Sequence, residues 1–241
     1  MKTVFITGGT RGIGRACAEC FINKGYNVAI TYEKSEDIAK EMEKLFPKKF
    51  VAIKCDVAKS EEVEKAFEKC VEKFGTSADI LVNNAGISAQ QMLCDVTEAQ
   101  WDRMFDVNVK GMFNTVKYAM PHMVHQKAGK IINISSIWGM CGASCEVVYS
   151  ATKGAVISFS KALAKELGPS GICVNCVAPG VIDTDMNRMH GEDIMAELAE
   201  ETPIGRLGTA EDVAKLVEFL ADDASGFITG QVISPNGGFV I

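Results

Sequence analysis

The sequence predicts an α/β protein built on one doubly wound parallel sheet of about seven strands, with helices on both faces. Three observations support this prediction. Apolar β-type runs alternate with helical stretches along the 241 residues, most of these runs are continuously apolar, and a glycine-rich turn follows the first of them. Continuous apolar strands suit a parallel sheet that is covered on both faces, and their alternation with helices is typical of right-handed βαβ crossovers.

The elements follow one another without a repeat or a low-complexity linker, so we predict a single domain over residues 1–241. The predicted strands are Thr3–Thr7, Asn27–Tyr32, Phe50–Cys55, Ile80–Asn83, Lys130–Ser135, Ile172–Ala178 and Gln231–Ser234. The predicted helices lie near 12–24, 35–46, 60–74, 98–125, 149–167 and 210–221. Segment 183–205 has three methionines and no clear strand. We expect it to be a substrate lid, with a surface insertion as the alternative.

Overall charge and hydropathy argue against several functions. The formal net charge is -6 and the pI is near 5.2, whereas nucleic-acid binders usually need a basic face. The first apolar run stops at glycines and is too short for an export signal, and nowhere do eighteen apolar residues run together. We therefore expect a cytoplasmic protein that binds neither nucleic acid nor membrane.

The nine cysteines raise the question of disulfides or metal sites. Their odd number and the lack of an export signal favour reduced thiols. Cys173 and Cys176 are three apart on a predicted strand and so face opposite sides, and Cys17 and Cys20 are too few for a structural zinc site. We expect buried, inert thiols and no bound metal.

The turn TGGTRGIG at residues 7–14 joins the first strand to the first helix. Its Gly8, Gly12 and Gly14 follow the spacing G-x-x-x-G-x-G. Glycines permit a tight turn and close approach to a pyrophosphate, which the free N–H groups at the helix start can bind. A tight βα turn without a ligand is the alternative interpretation.

The end of the second strand bears on which dinucleotide binds. A carboxylate at that position holds the ribose 2′-hydroxyl of NAD(H), but the strand ends at Tyr32 and the first acid is Glu33. Arg11 and Lys34 are cations suited to a 2′-phosphate. We therefore favour NADP(H), with NAD(H) as the alternative that Glu33 leaves open.

Polar residues also follow the third and fourth predicted strands. Asp56 can accept a hydrogen bond from the adenine amino group, or it can simply begin a helix or turn. In the stretch NNAG at 83–86, the asparagines can tie strand ends together and Gly86 leaves room for a ribose. Each of these signals is weak by itself.

The stretch YSATK at 149–153 offers an acid–base pair. Tyr149 and Lys153 share one face of a helix, and we expect the ammonium to lower the tyrosine pKa from its ordinary value of about 10. Ser136 can bond a substrate carbonyl, and Asn108 can anchor a water near the lysine. Taken singly, Tyr149 and Lys153 could be a surface pair, Ser136 could cap a turn, and Asn108 could mark a helix kink. Together they follow successive strand ends, where open α/β sheets bind ligands.

These motifs, with Pro179, Gly180, Thr184 and the C-terminal third, resemble the short-chain dehydrogenase/reductase family, which has a Rossmann-type sheet. They occur in family order over nearly the whole chain. The resemblance implies that Tyr149 protonates a carbonyl oxygen as a nicotinamide supplies hydride. It also implies that Lys153 holds the nicotinamide ribose, that Ser136 orients the carbonyl, and that Asn108 carries a relay water.

The resemblance further implies the residues that bind each ligand. For the dinucleotide these are Gly8, Thr10, Arg11, Gly12, Ile13, Gly14, Asp56, Val57, Asn84, Ala85, Gly86, Tyr149, Lys153, Pro179, Gly180, Ile182 and Thr184. For the substrate they are Ser136, Tyr149, Trp138 and Met186. Met140, Cys141 and Met189 are further apolar candidates; core or lid packing is the alternative for all the apolar ones.

The substrate implied is a 3-oxoacyl thioester on acyl carrier protein or CoA, reduced with NADPH in fatty acid biosynthesis. The stretch 117–130 offers cations for docking an acidic carrier: Lys117, His122, His125, Lys127 and Lys130. The alternatives are an alcohol, steroid or sugar dehydrogenase and a non-catalytic dinucleotide-binding scaffold or sensor. The family commonly forms homotetramers through the helices predicted here at 98–125 and 149–167.

Overall fold

The structure is a computed structural model that describes residues 1–188 and 191–241, and for Met186, Arg188 and Glu192 it describes the backbone alone. Seven strands form one sheet in which every pairing is parallel. They are β1 (Thr3–Ile6), β2 (Asn27–Tyr32), β3 (Phe50–Lys54), β4 (Ile80–Asn83), β5 (Gly129–Ile134), β6 (Ile172–Val177) and β7 (Val232–Ile233). The predicted fold class and all seven predicted strands are confirmed.

The helices connect the strands on both faces of the sheet. They are α1 (Gly12–Asn23), α2 (Glu36–Leu45), α3 (Ser60–Phe74), α4 (Glu98–Phe105), α5 (Gly111–Gln126), α6 (Trp138–Cys141), α7 (Val147–Leu167), α8 (Asp185–Arg188), α9 (Glu192–Glu201) and α10 (Ala210–Ala221). The helix predicted over 98–125 is interrupted by a π-helical turn at Asp106–Lys110. Such turns are rare and frequently mark functional sites.

Segment 183–205, predicted as a lid, contains the two short helices α8 and α9. Sequence periodicity missed α6, α8 and α9. Two of them, α6 and α8, have four residues each, too few to show a helical repeat. Met189 lies outside the described residues. A lid role for this segment stays a prediction.

The core consists of two apolar layers, one on each face of the sheet. Because successive strand residues point to opposite faces, Phe5 packs into one layer and Ile6 into the other. The Phe5 ring stacks on Phe67 of α3 at a centroid distance of 4.1 Å. On the other face, Val213 of α10 packs in the layer that contains Ile6. Both faces of the central strands are therefore buried, so the strands are held in place and their carboxyl ends lie at fixed positions.

The strand order β3-β2-β1-β4-β5-β6-β7 reverses direction between β1 and β4. In open parallel sheets, ligands bind outside the carboxyl ends of the strands at such a switch point. The residues that follow β1 and β4, Thr7 to Gly12 and Asn84 to Gly86, are those predicted to contact a dinucleotide. The topology therefore places the glycine-rich turn and the NNAG stretch side by side.

All nine cysteines are free thiols. Cys17, Cys55, Cys70 and Cys176 are buried as predicted, but the prediction is wrong for Cys94 and Cys141, which are exposed. Cys94 lies in a 3-10 turn and Cys141 at the end of α6, where no second layer covers them. Within residues 1–188 and 191–241, no cluster of three or more potential metal ligands occurs, and no helix is long and apolar enough to cross a membrane.

Candidate active site

A cleft of about 380 Å³ opens at the carboxyl edge of the sheet, within the usual volume range of small-molecule sites. Most of the predicted site residues line it: Gly8, Thr10, Arg11, Gly12, Ile13, Asp56, Val57, Asn84, Ala85, Gly86, Ser136, Trp138, Tyr149, Lys153, Pro179, Gly180, Ile182 and Thr184. Gly14 and Asn108 pack behind the wall of the cleft. The side chain of Met186 is outside the described part of the chain.

The glycine-rich turn has the shape that a pyrophosphate requires. Gly8 and Gly12 adopt φ values of +65° and +52°, which side chains with a Cβ rarely tolerate. A Cβ on Gly14 would lie 2.2 Å from the Gly8 carbonyl oxygen, so only glycine lets α1 pack this close. No side chain caps the start of α1 at Arg11. The first N–H groups of the helix therefore point to the cleft as an anion site.

Asn84 and Thr7 hold the turn after β1 against the end of β4. The Asn84 side-chain amide donates to the carbonyl oxygens of Thr7 and Gly8, each at 3.0 Å. The Thr7 hydroxyl accepts from the backbone N–H groups of Asn84 and Ala85 at 3.0 and 2.9 Å. The prediction that the asparagines tie strand ends together is confirmed, and the glycine turn is rigidly supported.

The segment after β6 crosses over this turn. A Cβ on Gly12 would lie 3.4 Å from the methyl carbon of Thr184, so the two residues face each other closely. Ile182 is buried and pairs with Gly208 in an isolated bridge, which fixes the start of the crossing. The glycine turn, the open helix start and this cover together fit a dinucleotide pyrophosphate.

The end of the cleft beside β2 and β3, where we expect the adenosine of a dinucleotide, carries two carboxylates and an arginine. Asp56 accepts hydrogen bonds from the Ala58 N–H at 3.1 Å and from Arg103 at 2.9 Å. The second guanidinium nitrogen of Arg103 donates to Glu33 at 3.3 Å. Burial favours the neutral acid, but Arg103 and the Ala58 amide outweigh it and hold the pKa of Asp56 below its usual value. Arg103 was not predicted, because nothing in helix α4 marks it by motif.

Tyr149, Ser136 and Lys153 meet at the middle of the cleft. Ser136 follows β5 and lies beside Tyr149 in the lining of the cleft, close enough to influence the tyrosine pKa. The Lys153 ammonium lies 5.6 Å from the centroid of the Tyr149 ring and donates to the Ile134 carbonyl at 2.9 Å. A Cβ on Gly86 would lie 3.4 Å from the same nitrogen. The structure therefore brings together the three side chains that the sequence grouped.

The pKa values at this site differ from the prediction. Burial raises the pKa of Tyr149, the charge of Glu146 adds to this, and the Ser136 hydrogen bond opposes it. Burial also lowers the pKa of Lys153 to about 8. The predicted fall in the tyrosine pKa is therefore wrong: the lysine ammonium donates its hydrogen bond to a backbone carbonyl, and desolvation of the phenolate dominates.

Asn108 lies in the π-helical turn and is 3% exposed. Its carboxamide accepts from the Ile87 N–H at 2.8 Å and donates to the Ile87 carbonyl at 2.9 Å and to the Thr152 hydroxyl at 3.0 Å. Asn108 therefore clamps the loop after β4 to helix α7, one residue before Lys153. A bound relay water at Asn108 stays a prediction.

The substrate end is less apolar than predicted. Trp138 lines the cleft and packs edge-on against Phe239, with ring centroids 6.0 Å apart. Met140 and Cys141 are exposed on α6 and are not among the residues that line the cleft. A substrate role for these two residues stays a prediction.

Two of the cations predicted for carrier docking lie at the edge of the sheet opposite the cleft. Lys130 is the second residue of β5, at the amino edge of the sheet, and its ammonium is buried on Ser225 at 3.1 Å. His122 contacts Asp79 at 3.3 Å at the same edge. Because all strands are parallel, their amino ends lie opposite the cleft. The expectation of docking cations near the cleft is therefore wrong for His122 and Lys130.

Comparison with known proteins agrees with this geometry. Residues 8–240 match the family model described as enoyl-(acyl carrier protein) reductase. A 3-oxoacyl-[acyl-carrier-protein] reductase of Staphylococcus epidermidis is 42% identical over 240 residues, 98% of each chain. The enzyme of the same name from Staphylococcus aureus is 41% identical over 241 residues, 98% of this chain and 97% of the relative. That from Aquifex aeolicus is 39% identical over 240 residues, 98% and 96% of the two chains.

Proposed function

The chain belongs to the short-chain dehydrogenase/reductase family, and we propose that it reduces a 3-oxoacyl thioester to the 3-hydroxyacyl form with NADPH, in fatty acid biosynthesis. It is an oxidoreductase that acts on a carbonyl or hydroxyl group with a nicotinamide dinucleotide. The observation that carries the proposal is the convergence of Ser136, Tyr149 and Lys153 beside a glycine cradle for a pyrophosphate. We propose the residues that line the cleft as the site.

The cleft suits NADPH over NADH. Arg11 and Lys34 are both exposed and line the adenosine end of the cleft, where a 2′-phosphate needs cations. Glu33, the acid that favours NAD(H), is engaged by Arg103. When bound, the nicotinamide supplies the hydride for the carbonyl carbon. The glycine turn and Thr184 hold the pyrophosphate, and Lys153 holds the nicotinamide ribose.

Tyr149 acts as the general acid. A phenol with a raised pKa keeps its proton near neutrality, which a proton donor requires. As the substrate oxygen gains alkoxide character, it becomes far more basic than a phenolate, so the proton moves from the Tyr149 oxygen to it. Ser136 donates to the same oxygen and orients it. The Lys153 ammonium, 5.6 Å from the ring centroid, stabilises the phenolate that is left.

A carbonyl substrate fits this arrangement better than an enoyl double bond. Tyr149 and Ser136 lie next to each other in the lining of the cleft, so their two hydroxyls can converge on one oxygen. In carbonyl reduction that oxygen keeps the proton it receives, whereas in the reduction of an enoyl thioester it carries enolate charge and the α-carbon must still be protonated. The names of the relatives at 39–42% identity agree with a 3-oxoacyl substrate.

The partners that we propose are an acyl carrier protein, which presents the thioester, and three further copies of the chain. Exposed aromatic residues on α4 and α5 support the assembly: Trp101 stacks on Phe105 at 4.7 Å, and Phe113 is 50% exposed. We further propose that segment 183–205 covers the substrate, since Thr184 and Asn187 line the cleft. A cytoplasmic location stays a prediction from sequence.

The substrate assignment is tested by following NADPH oxidation with a panel of compounds. We expect turnover with acetoacetyl-CoA and with acetoacetyl-acyl carrier protein, and none with crotonyl-CoA, a ketosteroid or a ketose. Turnover only on crotonyl-CoA would make the chain an enoyl reductase, and turnover only on the steroid or sugar would make it another dehydrogenase. Tight NADPH binding without turnover of any compound would favour the scaffold alternative.

A further inference from the structure

Arg103 joins the two acidic loops at the adenosine end of the cleft. One nitrogen of its guanidinium lies 2.9 Å from the Asp56 carboxylate and the other lies 3.3 Å from Glu33. Glu33 follows β2 and Asp56 follows β3, so a single side chain from α4 spans two strand ends. All three residues line the cleft.

The balance of positive and negative side chains at the adenosine end depends on Arg103. Five charged side chains line it, namely the cations Arg11, Lys34 and Arg103 and the acids Glu33 and Asp56. With Arg103 in place the cations outnumber the acids by one, and without it the acids would balance the two remaining cations. Asp56 is largely shielded, whereas Glu33 is exposed, so Glu33 is the acid that a bound ribose would meet. Charges a few ångströms apart at a protein surface attract or repel one another, and salt weakens the interaction.

The two dinucleotides respond to Glu33 in opposite ways. An unpaired carboxylate after β2 accepts hydrogen bonds from ribose hydroxyls and favours NAD(H), and the same carboxylate repels a 2′-phosphate. A carboxylate already paired with a guanidinium does neither. This explains how a chain with an acid at this position can take NADPH.

We infer that Arg103 determines dinucleotide choice by neutralising Glu33, so that the adenosine end accepts NADPH over NADH. The inference rests on the proposed dinucleotide site but not on the acyl substrate. Arg103 acts here through Glu33 and is a positioning residue. Its effect on the two dinucleotides should therefore depend on the residue at position 33.

The test is a double-mutant cycle on binding, measured by titration calorimetry with NADPH and NADH and no acyl substrate. We expect Arg103→Met to weaken NADPH binding about tenfold or more, in line with a surface charge interaction, and to change NADH binding much less. Glu33→Gln in the Arg103→Met background should restore most of the NADPH affinity. Glu33→Gln alone should raise the preference for NADPH over NADH.

Lys110→Met is the matched control, since Lys110 pairs with Asp106 on the neighbouring turn and does not line the cleft. It should bind both dinucleotides as the natural chain does. Equal loss of both dinucleotides in Arg103→Met would overturn the inference, because it indicates a structural role alone. Failure of Glu33→Gln to restore NADPH binding would also overturn it. Because the readout is binding, neither result depends on whether the thioester is reduced.

Discussion

Lys153 shows how strongly burial acts on a single residue of this site. The residue is 5% exposed, and its ammonium donates to a backbone carbonyl rather than to a carboxylate. Desolvation of the charged form then lowers its pKa from 10.5 to about 8. The lysine is thus charged near neutrality, where it can stabilise a phenolate, at a cost to the stability of the fold.

This cost predicts a pH dependence of stability. Between pH 8 and 10 the unfolded chain keeps the Lys153 proton that the folded chain has lost, so stability from this group rises with pH. Relative to Lys153→Met, the free energy of unfolding should rise by up to about 1.4 kcal/mol per pH unit in this window. Urea denaturation at several pH values measures it. Lys161→Met, at an exposed lysine, should leave the dependence of the unfolding free energy on pH as in the natural chain. If Lys153→Met also has the pH dependence of the natural chain, the account is refuted.

For single residues, the sequence predicts which side chains share a helix face better than it predicts how deeply they are buried. Tyr149 and Lys153 could be paired from their separation of four, because a helix fixes which residues share a face. The direction of the tyrosine pKa could not be predicted, since it depends on burial by distant segments. Arg103 was missed for the same reason: its partners are 47 and 70 residues away.

The glycine-rich turn is the element on which dinucleotide binding depends most. A Cβ on Gly14 would collide with the Gly8 carbonyl at 2.2 Å and with the Asn84 amide at 2.5 Å. Neither group can move away cheaply, because Gly8 is backbone and Asn84 is held by its own hydrogen bonds. The close packing of α1 on the turn is therefore specific to glycine.

Gly14→Ala should lower the free energy of unfolding by about 1–3 kcal/mol, as overpacking does, and weaken NADPH binding. Thermal or urea denaturation together with calorimetric titration measures both. Gly168→Ala is the control, since a Cβ there meets no atom within 4 Å and the backbone is helical. An unchanged NADPH affinity in Gly14→Ala would contradict the role given to the turn.

At the element scale, long apolar strands and long helices were predictable, while interruptions were not. The stretch 98–125 reads as one amphipathic helix because helical periodicity continues through it. The π-helical turn at Asp106–Lys110 adds one residue to a turn, which hardly disturbs that period. Its cause is tertiary: Asn108 is held by Ile87 and Thr152, which belong to other parts of the fold.

On the scale of the whole molecule, the order of the parallel strands determines which residues, distant in sequence, lie close together. The sheet brings the residues after β1, β3, β4, β5 and β6 to one edge, so motifs far apart in sequence line one cleft. It carries His122 and Lys130 to the opposite edge, and this placement depends on the course of α5 and β5 rather than on the local sequence. The alternation of strands and helices predicts that the site lies at the carboxyl edge of the sheet. Which side chains reach that edge depends on the three-dimensional path of each helix.

The exposed apolar face on α4 and α5 predicts an assembly. Burial of large apolar surfaces favours association, and the proposed tetramer should have four times the chain mass of 26.0 kDa. We expect Phe113→Glu to give smaller species in light scattering coupled to size exclusion. Val71→Glu changes an equally exposed apolar residue on α3 and should not alter the mass. A natural chain that runs as a monomer would contradict this prediction.

The central claim, that the Tyr149 hydroxyl gives its proton to the substrate oxygen, is tested most directly by single-turnover reduction of acetoacetyl-CoA with bound NADPH. For Tyr149→Phe we predict a rate about 10²–10⁴-fold below that of the natural chain, the usual range for loss of a general acid, with NADPH affinity preserved. Tyr118→Phe removes a hydroxyl that contacts Ser60 at 3.2 Å outside the cleft and should react normally. A Tyr149→Phe rate close to that of the natural chain would contradict the account.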